Sequence, residues 1–310
     1  MKTIFIINPV AGNGNALKKW AQFKKIIDFP FEAVVTKWPG YATEYVQELA
    51  KEKMPYLIIG FGGDGTLREI IAGAAGIPQL AVGSVSAGSG NDFGRGFNCF
   101  ETASQIAGFL DRPTFEREDL GEFFHGTRHQ FVSSSGIGFD AEITVLVNRS
   151  HLKRWLNKFK AGKLVYVFYV LKVFMKFEKF GLDVEANDQT WHYDDVWFAT
   201  VHNQPYFGGG MKISPHSKTN DGILELTVVH GISRLKLLTV FGTVFNGSHT
   251  RFKEVMQMHG EQFLLTTERP IFRHIDGDDA GKTPENKEVS YHISPLHWTA
   301  VNTTKKEDVK

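Results

Sequence analysis

The chain is short of cysteine, has no excess of either charge and contains no long uncharged apolar run, and each shortage removes a class of protein. Its single cysteine, Cys99, cannot close an internal disulfide and leaves no cysteine set for a zinc site, which fits a reducing compartment. With 35 basic against 34 acidic side chains the formal charge is +1, so no global field calls for nucleic acid as a partner. The longest strongly apolar uncharged stretch, Leu164–Leu171, ends at Lys172 and falls far short of the ~20 residues of a spanning helix. Neither an internal repeat nor a low-complexity linker is evident. Met1-Lys2-Thr3 leads straight into Ile4-Phe5-Ile6-Ile7, too short for the apolar segment of a secretory signal, so the chain is expected to start inside its fold.

What is present is core material. The 310 residues are 42% hydrophobic with 26 phenylalanines, enough for roughly two domains at ~150 residues each. The first third alternates short β-rich apolar runs with amphipathic stretches, the pattern of parallel α/β layers. Ile4–Ile7, Ala33–Thr36, Tyr56–Phe61 and Leu80–Gly83 read as strands. Trp20, Phe23 and Ile27 form one helical stripe, Ala42–Lys51 forms a second helix, and Thr66 with Glu69 reads as a Thr-x-x-Glu capping box opening a third. From about Arg112 the rhythm shortens to strands such as Gln130–Ser134, Val196–His202 and Ile223–Val229, which predicts an antiparallel sandwich or flattened barrel. His151–Phe180 interrupts it with helical period.

Glycine-rich turns follow three strands of the first lobe: Asn8-Pro9-Val10-Ala11-Gly12-Asn13-Gly14, Gly62-Gly63-Asp64-Gly65-Thr66 and Ser86-Ala87-Gly88-Ser89-Gly90-Asn91-Asp92. In a parallel sheet such loops converge at the carboxyl ends of the strands. Glycine lets backbone N–H groups approach an anion, and a helix start adds unsatisfied donors and the positive end of its dipole, so the crevice suits phosphate. It is not a dinucleotide fingerprint, because Leu17 stands where the third glycine is required. Nor is Gly277-Asp278-Asp279-Ala280-Gly281-Lys282-Thr283 a P-loop: it has three residues between its glycines instead of four, and Pro284 follows directly.

These turns, with Gly88-Ser89-Gly90-Asn91-Asp92-Phe93, Asp119-Leu120-Gly121, Gly138-Phe139-Asp140-Ala141, Asn203, Gly208-Gly209-Gly210, Asp221-Gly222 and Asp276-Gly277-Asp278, span nearly the whole chain. In order and spacing they resemble the diacylglycerol kinase catalytic-domain family, most of all its bacterial soluble lipid kinases. The resemblance implies an α/β nucleotide-binding lobe related to NAD kinases, expected over residues 1–112 with 295–310 packing back on it. A mostly antiparallel β-sandwich lobe for the lipid substrate is expected over 113–294, with the active site between the two.

It further implies an ATP- and magnesium-dependent kinase acting on a lipid hydroxyl at the membrane surface, cytoplasmic and peripheral at the inner face. Asn8, Gly12, Gly62, Gly63, Asp64, Gly65, Thr66, Gly88, Ser89 and Asn91 are expected at the nucleotide, Asp64 beside the metal, and Asp92 and Asp140 in an acidic network. Asp276 is expected as general base with Asp278 as second carboxylate, and Asp221 in a structural magnesium loop. Asp278 stands where the family carries glutamate, one methylene longer. The stretch around Lys153, Arg154, Trp155 and Lys158 interleaves cations with aromatics, which suits docking on an anionic bilayer. Two alternatives remain at the sequence level: an NAD kinase-like enzyme, which shares Gly-Gly-Asp-Gly-Thr, and a catalytically silent nucleotide- or lipid-binding protein. The lipid itself and the oligomeric state, a homodimer included, are left open.

Overall fold

The computed structural model describes residues 1–303 apart from Asn13, residues 88–91 and residues 150–161; of residues 162–168 only the backbone is described. The chain forms two compact units, Met1–Leu120 with the segment from Pro295, and Gly121–Ser294.

In the first unit, strands β1 (Lys2–Ile7), β2 (Glu32–Val35), β3 (Tyr56–Gly62), β4 (Leu80–Ser86) and β5 (Phe115–Glu118) are joined by the chain's last strand, β17 (Trp298–Val301). Their order is β2-β1-β3-β4-β17-β5. All pairs are parallel except β17 with β5. β1, β3 and β4 are apolar and buried almost throughout, as strands covered on both faces must be. The intervening helices are α1 (Asn15–Phe23), α2 (Tyr41–Lys51), α3 (Asp64–Ala74), α4 (Phe93–Gly96) and α5 (Ala103–Asp111). Trp20 of α1 packs on Phe5 of β1 with ring centroids 4.9 Å apart, which fixes that helix to the sheet. The strand order reverses at β1, whose neighbours are β2 and β3, so the switch point of the sheet lies at the carboxyl ends of β1 and β3.

The second unit is one antiparallel sheet of 11 strands. Its strands are β6 (Gly121–His125), β7 (Thr127–Phe131), β8 (Ser134–Gly138), β9 (Phe180–Ala186), β10 (Gln189–His202), β11 (Leu224–His230), β12 (Val255–Gly260), β13 (Gln262–Thr267), β14 (Phe272–Ile275), β15 (Asp278–Lys282) and β16 (Glu288–Ile293). The path runs β15-β14-β8-β10-β9-β13-β16-β6-β7, with β11 and β12 branching from β10. Branching is possible because β10 changes partner along its length. Its first half pairs with β9, and after a bulge between Tyr193 and Val196, where Asp195 has φ 55°, its second half pairs with β8 and β11. Among the described residues the unit also contains helices α6 (Phe139–Arg149), α7 (Gly162–Lys176) and α8 (Arg234–Phe241). Its aromatic core centres on fully buried Trp197, whose ring meets Phe139, Phe174 and Phe177 at 5.5–5.7 Å.

The sequence reading departs from the fold in four places. Thr66 does not open α3: the cap is Gly63, and Glu69 instead accepts from Gly40 N (2.9 Å) and Ala42 N (3.3 Å), capping α2. The run Gln130–Ser134 is two strands separated by a turn at Val132-Ser133. A helix, α6, precedes the expected helical segment, and Phe180 already belongs to β9. The boundary falls at Leu120 rather than residue 112, because β5 hydrogen-bonds to β17 as the edge of the first sheet.

Candidate functional site

Three loops at the switch end of the first sheet are tied together by backbone and short polar side chains. Asn8, just beyond β1, donates from Nδ2 to Thr66 Oγ1 at 2.9 Å, accepts on Oδ1 from Val10 N at 3.1 Å, and its own N–H reaches Phe61 O at 3.2 Å. Ala87, just beyond β4, donates its N–H to Gly62 O at 2.9 Å. Gly12 (φ +59°) lies so close to the Ala87 carbonyl that a Cβ there would stand 2.5 Å from the oxygen, and one on Gly62 would stand 2.5 Å from Thr66 Oγ1. Glycine is therefore required at Gly12 by the approach of one loop to another, and at Gly62 by the Thr66 side chain of its own turn.

Asp64 is the first residue of α3, and Gly63 supplies no capping side chain to the first-turn amides. Its Oδ1 accepts from Phe93 N at 3.1 Å, linking the turn after β3 to the start of α4. Burial pushes the Asp64 carboxyl above the usual carboxylate range, and neighbouring Asp92 adds to this; the Phe93 and Asp92 amides and Arg95 act the other way. Such a carboxylate gains from a nearby cation. Asp92 itself faces Arg95, with Nη1 3.2 Å from its Oδ1. α4 is backed by β17, since Phe93 and Phe97 pack on Trp298 at 5.9 and 5.2 Å.

In the second unit, Asp276 sits at the β14–β15 turn with φ 47°. Its Oδ2 accepts from Val132 N at 2.9 Å and its Oδ1 from Ser133 N and Ser134 N at 2.8 and 3.0 Å, while its own N–H donates to Ser134 O at 2.8 Å. The carboxylate thus holds the turn between β7 and β8. Asp278 opens β15 and is exposed. Beside it Asp279 pairs with Arg149 of α6 at 2.6 Å, which anchors that strand.

Asp140, at the start of α6, accepts on Oδ2 from Thr200 Oγ1 at 2.9 Å and lies 3.1 Å from His274 Nε2. His274 is fully buried and stacked under Phe207 at 4.8 Å. Ser134, His202 and Glu225 stand side by side on β8, β10 and β11. Burial, with His274 and His249 nearby, pushes the His202 imidazole down to about 3; burial also pushes the Glu225 carboxyl up to about 7, with Asp221 adding to the rise.

The structure therefore brings together Asn8, Gly12, Gly62, Gly63, Asp64, Gly65 and Thr66. Gly88, Ser89 and Asn91 lie outside the described residues, as do Lys153, Arg154, Trp155 and Lys158 of the expected docking segment. Asp92 and Asp140 belong to different units, each with its own partners. Asp221 accepts from Ile223 N at 3.2 Å, and among the described residues no three His, Cys, Asp or Glu side chains assemble as a metal cluster. Sequence reasoning missed the Phe93 amide, Thr200 and His274. Only His274 left a signal, lying two residues before Asp276, one step of strand alternation away.

Two family models cover the chain. Residues 2–123 match "Diacylglycerol kinase catalytic domain", and residues 133–295 match "YegS C-terminal NAD kinase beta sandwich-like domain". "Putative lipid kinase YtlR" of Bacillus subtilis (strain 168) is 30% identical over 90% of this chain and 94% of its own. "Diacylglycerol kinase" of Mycobacterium tuberculosis (strain ATCC 25618 / H37Rv) is 26% identical over 91% and 90%. Among solved structures, a diacylglycerol kinase from Bacillus anthracis str. Sterne superposes with a TM-score of 0.69 at 22% identity, covering 97% of this chain and 96% of that one, a likeness of fold.

Proposed function

This chain belongs to the diacylglycerol kinase catalytic-domain family of lipid kinases, and from that premise we propose that it transfers the γ-phosphoryl group of ATP to a hydroxyl of a membrane-resident lipid, diacylglycerol or a relative of it. The observation that carries the proposal is the convergence of the Asn8, Gly62–Thr66 and Ala87 loops at the switch point of the first sheet. The residues there fit a magnesium nucleotide. A helix start without a side-chain cap offers amides to phosphate, Gly65 has open space where a side chain would stand, and the half-buried Asp64 carboxylate is aimed by Phe93. In this reading Asp64 holds magnesium, which would neutralise charge on the transferring phosphoryl group. Asn8, Gly12, Gly88, Ser89 and Asn91 line the nucleotide.

The acceptor hydroxyl attacks the γ-phosphorus, the bridging oxygen leaves with ADP, and a carboxylate takes the hydroxyl proton. The sequence reading gave that proton to Asp276. Three backbone amides already occupy its oxygens, which favours a different division of labour: Asp276 fixes the turn and Asp278 accepts the proton. Asp140 is held by Thr200 and His274 as a fixed negative charge of the same unit.

Radiolabelled ATP offered to extracted lipids, with NAD as control, tests the reading. Label in a lipid is expected; label in NAD, or ATP bound without transfer, would replace it. Asp278→Asn should lower turnover by ~10²–10⁴ with melting temperature and ATP binding unchanged, as loss of a positioned base does. Asp276→Asn should lower the melting temperature as well. Wild-type turnover in the Asp278 variant would return the base role to Asp276.

A further inference from the structure

Among the described residues, two acid-free segments of the second unit carry six of its eight exposed large apolar side chains, the other two being Phe124 and Met256. Ile143–Phe177 and Leu226–Lys253 contain no Asp or Glu, although acidic residues make up 34 of the 310 in the chain. Within the first, α7 buries Val173 and Phe174, with buried Phe177 just after it, but leaves Leu171 55% and Met175 69% exposed, one helical turn apart on the same side. Within the second, α8 buries Leu237 and Val240 and leaves Leu235 79%, Leu238 54% and Phe241 51% exposed. Phe241 meets Phe245, itself 55% exposed, at 6.2 Å in the short 3-10 turn that follows. The two helices are joined directly. Arg234, the first residue of α8, donates to Phe174 O and Phe177 O at the end of α7 at 3.2 and 2.9 Å, and its guanidinium lies 5.5 Å from the centre of the Trp197 ring. Core requirements account for the buried sides of α7 and α8. They leave unexplained why the outward sides are leucine, methionine and phenylalanine.

The charged side chains within these two segments are of one sign, with Glu178 and Glu254 just beyond their ends. Lys172 and Lys176 flank Met175 on α7, and Arg251 and Lys253 follow the 3-10 turns after α8; all four are exposed. Lys236 is matched by Glu254 at 2.7 Å, the residue with which acid returns to the sequence. An apolar ridge with a cationic border is complementary to a bilayer carrying anionic headgroups, where side chains enter the acyl boundary and lysine stems reach back to phosphate. No described helix is long and apolar enough to cross a membrane, so the contact is with the surface.

We propose that the exposed apolar side chains of α7, Leu171 and Met175, together with Leu235, Leu238 and Phe241 of α8 and Phe245 of the turn after it, form a docking surface for an anionic lipid bilayer. This deepens the lipid-kinase reading, which supplies the reason for the protein to visit a membrane, and it rests on residues other than Lys153, Arg154, Trp155 and Lys158. Insertion of the leucines and phenylalanines contributes the apolar part of the affinity, and the lysines and arginine contribute the part that salt screens.

The test is sedimentation of the full chain with vesicles of phosphatidylcholine, with and without about a third phosphatidylglycerol. Wild-type protein should pellet with the anionic vesicles and be released by salt. Leu235→Ser combined with Leu238→Ser should weaken pelleting by roughly tenfold or more, since two fully inserted leucines are lost. Lys172→Glu with Lys176→Glu should abolish the preference for anionic lipid. All these side chains are exposed, so the variants should melt as wild type does. Undiminished pelleting of the leucine variant overturns the proposal, as does failure of wild type to pellet. A wild-type dimer that dissociates in the leucine variant while pelleting persists also overturns it, because the face then covers a second copy. Phosphoryl transfer to detergent-dispersed lipid, measured in parallel, separates this inference from the activity it rests on. Loss of transfer on vesicles alone supports docking, whereas a wild-type enzyme inactive in both forms refutes the kinase reading and leaves the pelleting result to decide docking by itself.

Discussion

At the scale of single residues, His202 and Glu225 set opposing dependences on pH. The His202 imidazole is held down to about 3 in the fold against 6.5 free, so between those values the unfolded chain binds a proton that the folded one refuses, and stability falls as pH drops through this range. The slope is about 1.4 kcal/mol per pH unit at most. Glu225 is held up to about 7 against 4.5, so the folded chain binds the extra proton between those values, and stability from this group rises as pH drops from 7 to 4.5. The two contributions oppose one another between 4.5 and 6.5, and below 4.5 only the histidine acts. Glu225→Gln should therefore raise the melting temperature at pH 8 and lose that advantage steadily as pH is lowered towards 4.5. Thermal melts from pH 4 to 8 check this, and an advantage independent of pH would contradict it.

At the scale of elements, two of the departures from sequence expectation share a cause: a side chain that looks local is used across the fold. Glu69 lies three residues after Thr66, the spacing of a capping box, yet its carboxylate caps the neighbouring helix α2 through Gly40 N and Ala42 N. Glu69→Ala should then destabilise the first unit by roughly 0.5–2 kcal/mol, the usual range for a lost cap. Amide exchange should accelerate in the first turn of α2 and not in α3; faster exchange in α3 would restore the local capping box. Asp276 behaves alike. The family resemblance offered it as general base; in the fold it sits in its own hairpin and also closes the β7–β8 turn, with a separation of 144 to Val132. That turn splits the run Gln130–Ser134, a break with no glycine or proline to announce it.

At the scale of the whole molecule, the last described strand of the chain belongs to its first domain. β17 lies between β4 and β5, with Thr299 opposite Ala81 and Arg117, and its Trp298 packs on the Phe93 and Phe97 of α4. The Phe93 amide in turn holds Asp64, so the segment from Pro295 reaches the proposed metal ligand through one side chain and one helix. A chain ended at Ser294 should lose cooperative folding of the first unit and with it ATP binding, while the second unit, closed at Ser294, keeps its protease resistance. Supplying residues 295–310 on a linker before Met1 should not restore binding as well as the native connection. ATP bound by the truncated chain at wild-type affinity would show that β17 is dispensable.

Periodicity and glycine spacing determined much of this protein. They placed β1 to β4 and α1 to α3, announced an antiparallel second lobe, and marked the loops of Asn8, Gly12 and Asp64, because buried strands, amphipathic helices and glycine-rich turns each impose a local pattern on consecutive residues. Only the tertiary structure decided which carboxylate serves as a clasp and which stays exposed, which helix Glu69 caps, which histidine meets Asp140, and where the outward leucines of α8 lie relative to α7. Those outcomes depend on backbone amides and ring faces brought together from distant parts of the chain, and hydrogen bonds of that kind leave no period in the sequence to be read.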